Sequence, residues 1–190
     1  MGISETEGAS LARRVDLRAV TSRRFTAQLE ELFKQHERQL GKYLVQMVRD
    51  RELAEDLLQD VFHQALRDTR GLTEARSPVA WLFGVARNQA LSALRRRRRF
   101  WHAFERLATR SAETNMNDEE LAAVNDLLER SLTPDDRALV LLRYLHGFSA
   151  VELAEMTGRT PAAVRQRLAR ARASLLASEQ SNQLPRREHD

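Results

Sequence analysis

Apolar residues recur along this chain at helical spacing, and no stretch shows the alternation of a strand. Phe25, Leu29, Leu32, Phe33, Leu40, Leu44, Met47 and Val48 form one stripe, which predicts a helix starting near Phe25; Gly41 weakens it mildly. Asp50 is placed to cap the next helix, ELAEDLLQDVFHQALRD. There Leu53, Leu57, Val61 and Leu66 line one side, widened by Ala54, Leu58, Phe62 and Ala65. DTRGLTEARS reads as a loop. Ser77 as cap and Pro78 at the first position then open SPVAWLFGVARNQALSALRRRRR, with Val79, Leu82, Phe83, Ala86, Ala90 and Leu94 facing inward. The pattern dissolves over 100–120, where SAETNMNDEE reads as a linker with an acidic end. A second block begins near Leu121. Thr133, Pro134 and Asp135 repeat the cap-plus-proline start, and Gly147 closes the helix DDRALVLLRYLH.

The clearest local grammar lies in SAVELAEMTGRTPAAVRQRLARARASLL, from Ser149 to Leu176. Ser149 and Glu152 make a capping box, and Val151, Leu153, Ala154 and Met156 give a short helix its apolar side. Gly158 suits the left-handed residue that ends a helix. Thr160 and Pro161 start a second one, expected to run for about 17 residues or roughly 25 Å. Val164, Leu168, Ala171 and Leu175 form its stripe. Helix, tight turn and longer helix make a helix-turn-helix, whose second member fits a DNA major groove. The expected architecture is therefore all-α, with two small helical domains at 25–100 and 121–178. A flexible linker at 101–120 joins them, and a poorly ordered extension at 1–24 and a polar tail at 179–190 flank them.

Charge placement turns this frame toward nucleic acid. The 190 residues carry a net charge of only +4, but 29 of the 31 basic residues are Arg. Arg165, Arg167, Arg170 and Arg172 share the last helix with no acid between Met156 and Ser178. An ordinary helical hairpin with a solvated basic face would also fit that helix; caps, turn and one-signed charge together favour DNA. Arg95 to Arg99 end another helix, where the helix dipole favours cations, yet five in a row repel one another unless an anion joins them. Trp81, Phe100 and Trp101 lie nearby and could stack unpaired bases, although for Trp81, beside the core-like Leu82 and Phe83, burial is the favoured role. Asn88 reads either as a base-edge contact or as a plain surface amide. By contrast, Glu52, Glu55, Asp56, Gln59 and Asp60 cluster on one polar side, a surface suited to solvent or to a basic protein rather than to phosphate.

Other chemistries find little footing. With no Cys there is no disulfide, thiolate metal site or cysteine nucleophile. The five histidines, His36, His63, His102, His146 and His189, form no metal-ligand pair, and no glycine-rich phosphate loop is present. No catalytic set, cofactor or metal is expected. No apolar run could span a membrane, and the first 24 residues lack a signal-peptide core, so a cytoplasmic protein is expected.

Three segments in order carry a family resemblance: AEDLLQDVF, WLFGVARNQALSALRRRRR, and LTPDDRALVLLRYLHGFSAVELAEMTGRTPAAVRQRLARARASL. Over about residues 25–178 the chain resembles a bacterial RNA polymerase sigma factor of the extracytoplasmic-function group. The resemblance implies that Asp56, Leu57, Gln59 and Asp60 dock on the clamp helices of the largest subunit of core RNA polymerase, with a further contact to the flap region of the second-largest. It implies that Thr69–Ser77, with Arg76, and the helix around Asn88 and Ser92 capture the minus-ten strand, with Arg95, Arg96, Arg98 and Arg99 holding phosphate. It implies that Thr160, Arg165, Gln166, Arg167 and Arg170 contact minus-thirty-five promoter DNA. An anti-sigma factor is the implied regulatory partner. Two positions depart from the family pattern: Ser92 stands where Asp is usual, and Ala163 where Thr is usual. The competing reading is a stand-alone helix-turn-helix regulator that binds operator DNA as a dimer.

Overall fold

The computed structural model describes the backbone of residues 5–104 and 119–183 and the side chains of residues 25–100 and 123–180. Among the described residues the secondary structure is entirely helical. The first block holds α1 (Glu5–Val48), α2 (Arg51–Arg67), α3 (Thr69–Glu74) and α4 (Pro78–Phe104). The second holds α5 (Glu119–Ser131), α6 (Pro134–Val140), α7 (Ala150–Thr157) and α8 (Pro161–Gln183), with a π turn, Leu141–Leu145, prolonging α6. The expected linker falls largely on residues 105–118, outside the described residues, as do the side chains of the 1–24 extension and of Trp101. Most of the 179–190 tail also lies outside.

The helix boundaries follow from side-chain chemistry. Asp50 Oδ1 accepts from the Leu53 amide at 3.0 Å, starting α2. Ser77 Oγ accepts from the Ala80 amide at 3.2 Å, starting α4. Thr133 and Thr160 cap α6 and α8 in the same way. The capping box at Ser149 is complete, and Gly158 sits in the left-handed region at φ 63°. Arg49 also takes positive φ, at 55°, to turn α1 into α2.

Three differences from the sequence reading have physical causes. α1 starts at Glu5 rather than near Phe25; residues 5–24 contain no proline and are rich in Ala, Leu, Arg and Glu, good helix formers. DTRGLTEARS is not wholly loop, because Asp68 accepts from the Gly71 amide at 2.8 Å and starts the one-and-a-half turns of α3. α8 runs 23 residues rather than the expected length of about 17, since nothing before Gln183 breaks it.

The first block packs α1, α2 and α4 around Leu40, Tyr43, Leu44, Leu57, Val61, Leu82, Phe83 and Ala86, all buried. The second packs α6, α7 and α8 around Leu139, Leu142, Leu153, Val164, Leu168 and Ala171. The two cores meet. Phe83 lies 4.9 Å from Phe148 and 5.0 Å from His146, ring centre to ring centre, and Tyr43 lies 5.6 Å from His146. The π turn and Gly147, at φ 76°, swing His146 and Phe148 into that junction.

Candidate nucleic-acid interface

Three surfaces carry the chemistry. The first is the polar side of α2. Its apolar residues Ala54, Leu57, Val61 and Ala65 face the core, which turns Glu52, Glu55, Asp56, Gln59 and Asp60 outward, all exposed. Arg51 Nε donates to Glu55 at 3.1 Å, an exposed pair of little energetic weight. Asp56, Gln59 and Asp60 make no hydrogen bond or ion pair among the described residues. Leu57 corrects the sequence reading: at 1% exposure it lies inside the block, since it sits on the helix side opposite Gln59, and it supports this surface from behind rather than presenting it.

The second surface lies at α3 and α4. Ser77, Trp81, Gly84 and Asn88 form one wall of a cavity of about 340 Å³. Trp81 is half-buried, so it is both packed and presented to this cavity. Asn88 is exposed, and its Oδ1 accepts from Arg87 Nη1 at 3.1 Å. Ser92 lies half-buried one turn further along. Arg76, exposed on the loop before α4, has Nη1 3.4 Å from Glu155 Oε1 of α7. Arg95, Arg96, Arg98 and Arg99 are exposed on α4 beyond the cavity. Arg97 differs: half-buried, it donates to the Val48 carbonyl at 3.5 Å and helps satisfy the open end of α1.

The third surface is α8. Val164, Leu168 and Ala171 face inward, leaving Arg165, Gln166, Arg170 and Arg172 exposed along the other side. Thr160 is exposed, and its Oγ1 accepts from the Ala163 amide at 3.2 Å, so its hydroxyl is engaged as a cap. Arg167 departs from the DNA-facing expectation. It borders the apolar stripe, is mostly buried, and its Nε is hydrogen-bonded to Asp136 Oδ1. Burial pushes the Asp136 carboxyl up, but hydrogen bonds from Arg167 and Thr133 outweigh this and hold it below the usual carboxylate range. Arg167 therefore ties α8 to α6.

Sequence reasoning missed the buried arginines. Arg137 is 3% exposed, and its Nη2 donates to the Met47 carbonyl at 2.5 Å. Arg87 is 7% exposed, with Nη2 2.5 Å from Asp135 Oδ1. Burial lowers both guanidinium values; Asp135 opposes this at Arg87, and Glu129 at Arg137. The available signal was position: Arg87 interrupts the apolar run FGVARNQAL, and Arg137 directly precedes the apolar run ALVLL. Among the described residues no group of His, Asp or Glu is arranged to hold a metal, and no helix is long and apolar enough to cross a membrane.

Comparison with known proteins gives these surfaces a setting. Residues 32–100 match the Sigma-70 region 2 family model, and residues 126–175 match Sigma-70, region 4. The RNA polymerase sigma factor CarQ of Myxococcus xanthus is 33% identical over 142 residues, covering 73% of this chain and 81% of that protein. The ECF RNA polymerase sigma factor SigM of Mycobacterium tuberculosis is 32% identical over 146 residues, covering 77% and 74%. In fold, the chain is similar to the sigma factor RpoE of Bartonella quintana, solved with the anti-sigma factor NepR. The TM-score is 0.66 at 22% identity, covering 80% of this chain and 97% of that one. It is also similar to CnrH, solved with the cytosolic domain of CnrY, at TM-score 0.63 and 23% identity, covering 85% and 96%.

Proposed function

The chain belongs to the sigma-70 family of RNA polymerase sigma factors, in its extracytoplasmic-function branch, and from that premise we propose how its surfaces divide the work. Members of this family bind core RNA polymerase and promoter DNA, and this chain does the same with two modules. The first block is region 2 and the second is region 4.

Asp56, Gln59 and Asp60 form the docking surface for core polymerase. They are anionic or polar, exposed and uncommitted, the state in which charged groups steer and orient a partner. The cavity at Trp81 and Asn88 takes a base of the minus-ten strand pulled from its stack. That step costs a few kcal/mol, which stacking and edge hydrogen bonds offset. Arg76, Arg95, Arg96, Arg98 and Arg99 hold the strand's phosphates, with Ser92 beneath them on the same helix. α8 lies in the major groove at the minus-thirty-five element, where Arg165, Gln166 and Arg170 reach base edges or phosphate. The chain performs no chemical step of its own and works in the cytoplasm. An anti-sigma factor is its regulatory partner, a reading supported by the similar fold of RpoE, which was solved in complex with the anti-sigma factor NepR.

One observation carries the reading: one helical frame exposes an acidic face on α2 together with basic faces on α4 and α8. A stand-alone operator-binding protein has use for the basic helix-turn-helix but not for the acidic face. The test is run-off transcription with purified core polymerase on a genomic fragment library. Discrete transcripts that require the chain are expected. No chain-dependent transcript from any fragment would overturn the proposal.

A further inference from the structure

Hydrogen bonds within the protein decide what the cavity at α3 and α4 can offer a base. Its polar lining from region 2 is Gln64, Asp68, Ser77 and Asn88. At Asn88 the choice is forced. Its Oδ1 accepts from Arg87 Nη1 at 3.1 Å, and a guanidinium can only donate. The buried Arg87 thus fixes which end of the amide is engaged, and Nδ2 is left as a donor. Ser77 is settled in the same way: its Oγ accepts from the Ala80 amide at 3.2 Å, so its hydroxyl proton is left to donate.

Asp68 is the opposite case. Its Oδ1 accepts from the Gly71 amide at 2.8 Å, and Oδ2 remains as an acceptor. A Cβ built at position 71 would lie 2.5 Å from that Oδ2, so glycine there keeps the carboxylate in place. Gln64 Oε1 accepts from Gln89 Nε2 at 2.9 Å. Two amides can pair in either sense, so Gln64 can turn either end to a ligand. On the α7 side, Glu152 Oε2 is taken up by its capping box, and Glu155 Oε1 lies by Arg76. The fixed groups of region 2 are therefore two donors, at Asn88 and Ser77, and one acceptor, at Asp68.

A base taken out of the stack is read along its Watson–Crick edge. Thymine presents O4 and O2 as acceptors and N3–H as a donor. Cytosine presents N3 and O2 as acceptors and its amino group as a donor. Guanine has the reverse balance, and adenine has one of each. A base whose edge does not match leaves enclosed polar groups unpaired, which costs more than a made bond gains.

We propose that this cavity selects a pyrimidine at the minus-ten position it captures. Asn88 and Ser77 donate to the base and Asp68 accepts from it; Arg87 is a positioning residue that makes Asn88 a donor. This rests on the minus-ten assignment made above. Trp81 stacks on any base and so adds affinity without choice.

Asn88→Asp tests the assignment by putting an acceptor where the donor stood. Asn88 is exposed, and a carboxylate keeps the bond from Arg87, so the fold is expected to hold. The fixed groups then become one donor and two acceptors, the complement of guanine. Full-length chain and core polymerase are mixed with a promoter fragment randomised across its minus-ten element, and the retained DNA is sequenced. The parent should enrich pyrimidines over purines at one position by at least about fivefold, the low end for one mismatched pair. Asn88→Asp should move that enrichment to guanine at the same position, and Asn88→Ala should weaken it without a new preference. Absence of any pyrimidine-selecting position in the parent would overturn the inference. So would a base choice unchanged by Asn88→Asp, or a loss of binding shared equally by all four bases. In each of these cases, selection at other minus-ten positions would leave the minus-ten assignment standing. No base choice at any randomised position, in DNA still retained through the upstream element, would overturn the minus-ten assignment together with the inference.

Discussion

Asp56→Arg combined with Gln59→Ala separates docking from folding. Both side chains are exposed on α2 and make no hydrogen bond or ion pair among the described residues, while the neighbouring Leu57 secures the helix to the core. Exposed substitutions away from structural features change stability by within about 0.5 kcal/mol. Placing a cation where a basic partner docks costs far more, about 2–5 kcal/mol for loss of a close charge pair. At 1.4 kcal/mol per decade this is a weakening of Kd from about 30-fold to a few thousandfold. Fluorescence anisotropy of a labelled chain titrated with core polymerase reads the affinity, and a thermal melt of the same sample checks the fold. Lost affinity with an unchanged melt is expected. Unchanged affinity refutes the assignment of this face, whatever the melt shows.

Four further outcomes are expected. Arg137→Ala leaves the Met47 carbonyl without its 2.5 Å donor; an unsatisfied buried acceptor costs about 1–3 kcal/mol, so urea denaturation should show a lower midpoint, and an unchanged one would contradict the role given to this guanidinium. Neutralising Arg165 and Arg170, both exposed on α8, should lower transcription from promoters that need the upstream element and leave the fold intact; equal transcription would remove them from the interface. Promoter-complex affinity should fall steeply between roughly 50 and 200 mM salt through counterion release, and a flat response would exclude phosphate contacts. His146 has its value lowered below the ordinary 6.5, first by burial and then by Lys42. The unfolded chain therefore binds the extra proton first. The stability His146 contributes is full above pH 6.5 and declines as pH falls toward the lower folded value. His146→Leu should flatten that part of a stability–pH profile, and an unaltered slope would show that His146 does not supply it.

Much of the fold was legible because its signals are local. Asp50, Ser77, Thr133, Ser149 and Thr160 cap the helices they were expected to cap, and Val164, Leu168 and Ala171 form the buried stripe of α8. The short α3 was hidden because its cap, Asp68, begins a segment with a central Gly and only six helical residues. The exposure of candidate residues was legible where it follows from helical phase, as for Asp56, Gln59, Asp60, Arg165, Gln166 and Arg170. Phase alone does not reveal a partner distant in sequence. Arg167 looked like part of the basic face, yet Asp136 holds it 31 residues away in the chain. Arg87 is likewise held by Asp135, and Arg76 by Glu155. These pairings arise from packing between helices, which periodicity does not encode.

The central claim is that this chain reads promoters only as part of polymerase. Its most direct test is binding of one labelled promoter duplex by the chain alone, by core polymerase alone, and by both together. Retention that is sequence-specific only in the mixture is the predicted result. Tight, specific binding by the chain alone, with two-fold symmetric protection of the duplex, would contradict the account.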